Sequence, residues 1–139
     1  KMTGIDCKPI SVELTYGLER ICMFVQSKKD VFEIDWNNDG VKYRDVYLQS
    51  EKEFSAYNFD HANTDSLLKN FEIAENECKS LLEKKLSLPA YDQCLKASHI
   101  FNILDSRGVI SVAERTGFIN RIRDLAKGSG SAWLENQKE

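Results

Sequence analysis

Arg20 and Glu13 are the residues around which chemistry would turn. They flank Gly17 in the stretch "VELTYGLERI", residues 12–21. Arg20 follows a glycine by three positions, in what reads as the first turn of a helix. The helix macrodipole favours anions at that end and disfavours cations. A guanidinium placed there therefore needs a reason. One reason is an ion pair with a nearby carboxylate, or plain solvation. The other is an anionic ligand held jointly by the guanidinium and the free N–H groups of the first turn. Glu13 and Thr15 alternate with Val12 and Leu14, so they share the polar face of the preceding segment with Ser11. By itself that face is what any solvated strand would show.

The elements that must position these side chains follow from periodicity. Ile10, Val12, Leu14 and Tyr16 recur every second residue, which predicts a strand with one buried face. After Gly17 the spacing turns helical, with Leu18, Ile21, Cys22 and Val25 on one stripe. Gly17 is the hinge between the two periods, because it permits backbone angles that other residues resist. Residues 28–44 read as a connector, with "NNDG" supplying a turn around Gly40. A short helix is predicted over 43–55, with Tyr43, Val46, Tyr47 and Phe54 as its apolar side.

Three longer helices account for the rest. The first, about 65–85, is capped by Thr64 or Asn63 and carries Leu67, Phe71, Ala74, Cys78 and Leu81 on one stripe. Lys69, Glu75, Glu77 and Lys79 are assigned to its opposite face. The second is predicted to start at Pro89, with Cys94, Ala97, Phe101 and Leu104 facing inward, and to end at "DSRG". The third opens on the capping box "SVAE", residues 111–114, and buries Phe118, Ile122 and Leu125. Gly128 and Gly130 are expected to weaken it near its end. Arg115, Asp105 and Arg107 are expected to form a structural ion-pair network at a helix junction. The expected fold class is mainly α: a strand and helix, then an antiparallel helical bundle.

Bulk properties narrow the classes. The 139 residues carry a net charge of −3 with 29% charged residues, against the balance of a generally basic nucleic-acid-binding domain. No apolar run approaches a membrane span and no signal-peptide pattern is present. Cys7, Cys22, Cys78 and Cys94 form no C-x-x-C pair, and His61 and His99 are far apart, so no metal site is assigned. Cys22, Cys78 and Cys94 sit on apolar stripes, which predicts buried, reduced thiols and a cytoplasmic protein. Cys7 is on no stripe. The chain opens on Lys1 in mid-motif and is expected to be part of a longer protein.

"ELTYGLERI" resembles motif 3 of a class II aminoacyl-tRNA synthetase. The likeness extends through "CKPISVELTYGLERICMFVQ", "YNFDHANTD", "LPAYDQCLKASHIFNILDSRGVISVAER" and "INRIRDLAK". Together these resemble the C-terminal half of the α subunit of bacterial tetrameric glycyl-tRNA synthetase, from about Ile5 to Lys127. The front also resembles alanyl-tRNA synthetase, which shares the "KP" and "GLERI" framework.

The resemblance implies that residues 1–27 end a class II antiparallel α/β catalytic core and that 28–139 form a C-terminal helical domain. It implies ATP-dependent activation of glycine to glycyl-adenylate and transfer to tRNA(Gly). Arg20 would contact ATP, with Gly17 and Glu19 beside it. Glu13 would hold the glycine ammonium, with Thr15 close to the substrate. ATP and Mg²⁺ are the implied small molecules. A β subunit is the implied partner, in an α2β2 tetramer built on an α–α homodimer. Motifs 1 and 2 are not in these residues, so this segment alone is expected not to activate glycine. The rival reading is a non-catalytic helical interaction module that retains a synthetase-like motif.

Overall fold

The computed structural model describes residues 4–138. Its helices are α1 (Leu18–Val25), α2 (Tyr43–Ala56), α3 (Thr64–Glu83), α4 (Ser87–Ser106) and α5 (Val112–Asn136). The chain divides into two compact units, Ile10–Tyr57 and Lys1–Pro9 with Asn58–Glu139.

In the first unit, residues 10–16 have no regular secondary structure, where period two predicts a strand. The correction has a plain cause. A strand exists only through a ladder shared with another strand, and no backbone group of 10–16 is hydrogen-bonded to a partner strand among the described residues. The apolar positions of that period are exposed, Ile10 at 86% and Val12 at 82%. The apolar stripe of α1 is likewise uncovered within this unit, since none of its residues is buried. Gly17 adopts φ +70 at the N-cap of α1, the left-handed region that a glycine enters without strain.

The connector folds as its turn residues dictate. The Asn37 side chain accepts from the N–H groups of Asp39 (3.0 Å) and Val41 (3.1 Å), and Gly40 takes φ +86. This turn returns the chain so that Asp35 and Lys42 form an antiparallel bridge. A 3-10 turn at Val31–Glu33 precedes the bridge, and α2 begins directly after it. Ile34 is the one buried residue among the described positions of 10–57.

The second unit is the bundle. Asn63 caps α3 by accepting from Ser66 N–H at 2.9 Å. Leu86 N–H bonds back to the Leu81 carbonyl at 2.9 Å, with Lys85 at φ +58, and this tight reversal sets α3 against α4. α4 starts at Ser87 rather than Pro89, with Pro89 still in its first turn where no helical N–H bond is needed. The reversal into α5 uses Gly108 at φ +67. The predicted capping box forms: Ser111 Oγ accepts from Glu114 N–H at 3.2 Å, and Ser111 N–H donates to Glu114 Oε2 at 3.0 Å.

One continuous core holds Phe71, Ala74, Cys78, Ala90, Cys94, Ala97, Phe101 and Leu125. Phe118 packs between Phe71 (ring centroids 4.9 Å apart, edge-on) and Phe101 (5.9 Å, stacked). The stripe residues named from the spacing of α3 and α4 point into it, apart from Leu67, Leu81 and Leu104. Leu81 is half-buried at its margin, and Leu104 is buried in a smaller neighbouring cluster with Leu67.

α5 runs through Gly128 and Gly130 to Asn136, contrary to the expected weakening. Each helical glycine costs about 1 kcal/mol against alanine, and packing outweighs it here. A Cβ built on Gly128 would lie 2.8 Å from Leu82 Cδ1, so the missing side chain lets α5 approach α3 closely. The intervening Ser129 is buried and donates its hydroxyl to the Leu125 carbonyl at 2.9 Å.

Candidate functional site

The start of α1 is the candidate. No side chain caps it, so the first-turn N–H groups lack a side-chain acceptor. Arg20 is exposed and has no ion pair or hydrogen bond among the described residues. A partnering carboxylate, one of the two ordinary reasons for its position, is thus missing there. Glu13 and Thr15 are brought together: the Thr15 hydroxyl donates to the Glu13 carboxylate, a contact made by their shared side of the chain. Glu19, one residue before Arg20, accepts from the Tyr43 hydroxyl at 3.4 Å. Burial, together with the Glu19 carboxylate, pushes the Tyr43 phenol above its ordinary pKa.

The spacing pattern alone gave no sign of what holds α1 within its unit. The Gln26 carboxamide grips both main-chain groups of Asp35, donating to its carbonyl at 3.0 Å and accepting from its N–H at 2.8 Å. Lys28 pairs with the Asp35 carboxylate at 2.9 Å and holds it below its ordinary pKa. Trp36, Tyr43 and Tyr47 pack on one another, with Tyr43 and Tyr47 centroids 4.7 Å apart. They line a cleft of about 380 Å³ shared with Leu18, Glu19 and Cys22 of α1. Cys22 is half-buried and lines this cleft, which corrects its expected place in a core.

Glu33 is no free acid. Lys42 Nζ approaches it at 2.7 Å and Arg44 donates to it as well, lowering its pKa through the Lys42 hydrogen bond first.

In the bundle, the charged residue that spacing misassigned is Glu75. It is 7% exposed, and its carboxylate receives Arg121 and Lys79. Arg121 Cζ lies 4.6 Å from the Phe71 ring centroid and 5.1 Å from that of Phe118. The Arg121 hydrogen bond holds Glu75 below the ordinary carboxylate range despite burial. The signal was available: 71, 74, 75 and 78 are themselves an i, i+3, i+4, i+7 stripe. An acid inside such a stripe requires a buried cation opposite.

The expected trio of Arg115, Asp105 and Arg107 is a pair. Arg115 Nε meets both Asp105 oxygens at 3.1 Å, whereas Arg107 donates to the Phe59 carbonyl in the π-helical turn Tyr57–His61 at 2.6 Å. A second cleft, of about 390 Å³, lies between α4 and α5 beside Tyr91 and Trp133, and no charged side chain or thiol lines it. Among the described residues no three His, Cys, Asp or Glu side chains gather as metal ligands. No helix there is long and apolar enough to cross a membrane.

A guanidinium without a partner among the described residues, beside an uncapped helix start, suits an anion or a planar group. Residues 1–138 match the family model described as glycyl-tRNA synthetase alpha subunit, and the chain belongs to that family. Membership makes it part of an aminoacyl-tRNA synthetase serving protein biosynthesis, with glycine and tRNA as substrates and a beta subunit as partner.

Proposed function

We propose that the start of α1 is the ATP-contacting motif 3 of a class II synthetase. The observation that carries the reading is Arg20: an unpaired cation at a helix N-terminus opened by Gly17 at φ +70. In this reading the guanidinium stacks on adenine or meets the phosphates, and Gly17 lets the nucleotide approach the main chain. Glu19 lies at the nucleotide's edge. Glu13, oriented by the Thr15 hydroxyl, receives the ammonium group of glycine. Glycine offers no side chain to grip, so selectivity rests on that ammonium and on excluding anything larger.

The reaction has two displacements. A carboxylate oxygen of glycine attacks the α-phosphorus of ATP, and pyrophosphate leaves. A hydroxyl of the terminal ribose of tRNA(Gly) then attacks the glycyl carbonyl carbon, and AMP leaves. Such chemistry depends on positioning and on charge stabilisation by groups like Arg20. Mg²⁺ would supply further charge neutralisation on the phosphates. The described residues offer no set of converging carboxylates for it, and no step is assigned to it through them.

The exposed apolar positions of 10–16 and of α1 fit a segment that completes its sheet and core against the remainder of a class II catalytic domain. Activity accordingly belongs to the complete enzyme, a cytoplasmic α2β2 assembly with an α–α dimer, and this segment alone is inactive. A non-catalytic interaction module is the alternative. The test is Arg20→Ala in the complete synthetase, read by ATP–pyrophosphate exchange. Loss of a charge-assisted transition-state contact costs about 2–4 kcal/mol, so exchange should fall at least thirtyfold. A variant within twofold of wild type would sink the assignment and favour the module.

A further inference from the structure

We propose that Gln26 and Tyr43 are positioning residues for Arg20, acting by fixing the direction of α1. This rests on the reading of Arg20 as the ATP contact. None of the eight residues of α1 is buried and only Cys22 and Met23 are half-buried, so apolar packing within its unit holds the helix weakly. Two polar attachments add to it, one at each end. At the C-cap, the Gln26 carboxamide closes a two-bond ring with the main chain of Asp35, at 2.8 and 3.0 Å. In the first turn, Glu19 accepts from the Tyr43 hydroxyl at 3.4 Å. At 1.5 Å of rise per residue these anchors are about 10 Å apart along the axis. Two points that far apart define a direction.

Both receiving groups sit on rigid ground. Asp35 belongs to the antiparallel bridge with Lys42 and is further tied to Lys28 at 2.9 Å. Tyr43 opens α2 directly after that bridge and packs on Trp36 and Tyr47. Arg20 is the neighbour of Glu19, so whatever sets the first turn of α1 sets where the guanidinium starts. Gln26 touches no reacting group and works only through the helix.

The experiment is a double-mutant cycle in the complete synthetase, assembled with its beta subunit. Gln26→Met keeps length and removes both bonds to Asp35. Tyr43→Phe removes one oxygen. KM and kcat are measured for ATP and for glycine, beside the thermal midpoint of each variant. Gln26→Met should raise the KM for ATP about tenfold, short of the hundredfold that a misplacement of about 1 Å costs, with the KM for glycine held within twofold. Tyr43→Phe should give a smaller change in the same sense, about two- to threefold. In an Arg20→Ala background, Gln26→Met should cost nothing further, because the group it positions is gone. Full additivity of the two changes would overturn the proposal, as would equal effects on both substrates. If Arg20→Ala impairs ATP use and neither Gln26→Met nor Tyr43→Phe does, positioning is wrong and the nucleotide contact stands. If Arg20→Ala itself is silent, the functional reading falls and the positioning role with it. Should Gln26→Met fail to fold, Tyr43→Phe carries the same cycle.

Discussion

The two units solve opposite problems. The bundle of α3, α4 and α5 buries its apolar stripes on itself, around a core from Phe71 to Leu125. The unit Ile10–Tyr57 buries Ile34 and leaves Ile10, Val12, Leu14, Leu18, Phe24 and Val25 exposed. Polar attachments such as Gln26 to Asp35 substitute there for a core. Yet the unit with the smaller core carries the residues proposed for chemistry. Arg20 and Glu13 present their charges outward, as the proposed binding roles require, whereas a bundle charge such as Glu75 is consumed by its partners.

That contrast can be broken by mutation. The largest effect is expected at Glu13. If Glu13 holds the glycine ammonium as proposed, replacing it with Gln keeps shape and removes that counter-ion, a loss of roughly 3–5 kcal/mol. The KM for glycine in the complete enzyme should rise by two orders of magnitude or more, or turnover fall correspondingly, with ATP affinity largely kept and the thermal midpoint unchanged. Unchanged glycine kinetics alongside impaired ATP kinetics would move the carboxylate out of the amino-acid pocket.

Glu75→Gln should do the reverse, lowering stability. Breaking a buried pair costs about 3–5 kcal/mol. The Arg121 side chain retains 38% of its exposure, so roughly 2–3 kcal/mol is expected here after screening. Because Arg121 lowers the Glu75 pKa from its ordinary 4.5, the carboxylate stabilises the fold above that pH. Its contribution is lost as pH falls through the folded-state value below 4.5. Urea unfolding of wild type and variant should therefore differ most near neutrality and converge in acid. A gap that persists undiminished in acid would mean that the carboxylate's charge is not what matters.

Thiol reactivity separates the bundle core from the exposed chain more gently. Cys7 is exposed and should react first with a small alkylating reagent, and half-buried Cys22 more slowly. Cys78 and Cys94 are buried, and burial raises both thiol pKa values, so they should react only when the bundle opens. Mass spectrometry of a native labelling series would show prompt modification of all four if the core is looser than drawn. The smallest effect belongs to Gly117. It is exposed on α5, and an added Cβ meets nothing within 4 Å. Gly117→Ala should stabilise the bundle by about 0.5–1 kcal/mol through helix propensity, measurable as a raised urea midpoint.

What the sequence settled by itself was mostly local. The capping box at Ser111, a cap at one of Asn63 and Thr64, the "NNDG" turn and most of the stripes of α3 and α4 follow from short-range bonding and from a period of 3.6, and the structure forms them, with Asn63 as the cap. The juxtaposition of Glu13 and Thr15 was legible for the same reason, because two residues apart on an extended chain share a side. Tertiary structure decided what depends on a partner distant in sequence. Residues 10–16 have strand periodicity but form no ladder among the described residues, since pairing is not a property of one segment. Glu75 looked like a surface acid until Arg121, 46 residues away, arrived over two phenylalanine rings. Gly128 and Gly130 were expected to weaken α5 near its end, but close packing, of Gly128 against Leu82 above all, outweighed their propensity. The attachment of Gln26 to Asp35 had no sequence signal at all, because a side-chain amide that binds main chain needs a backbone geometry, not a residue type, in order to be met.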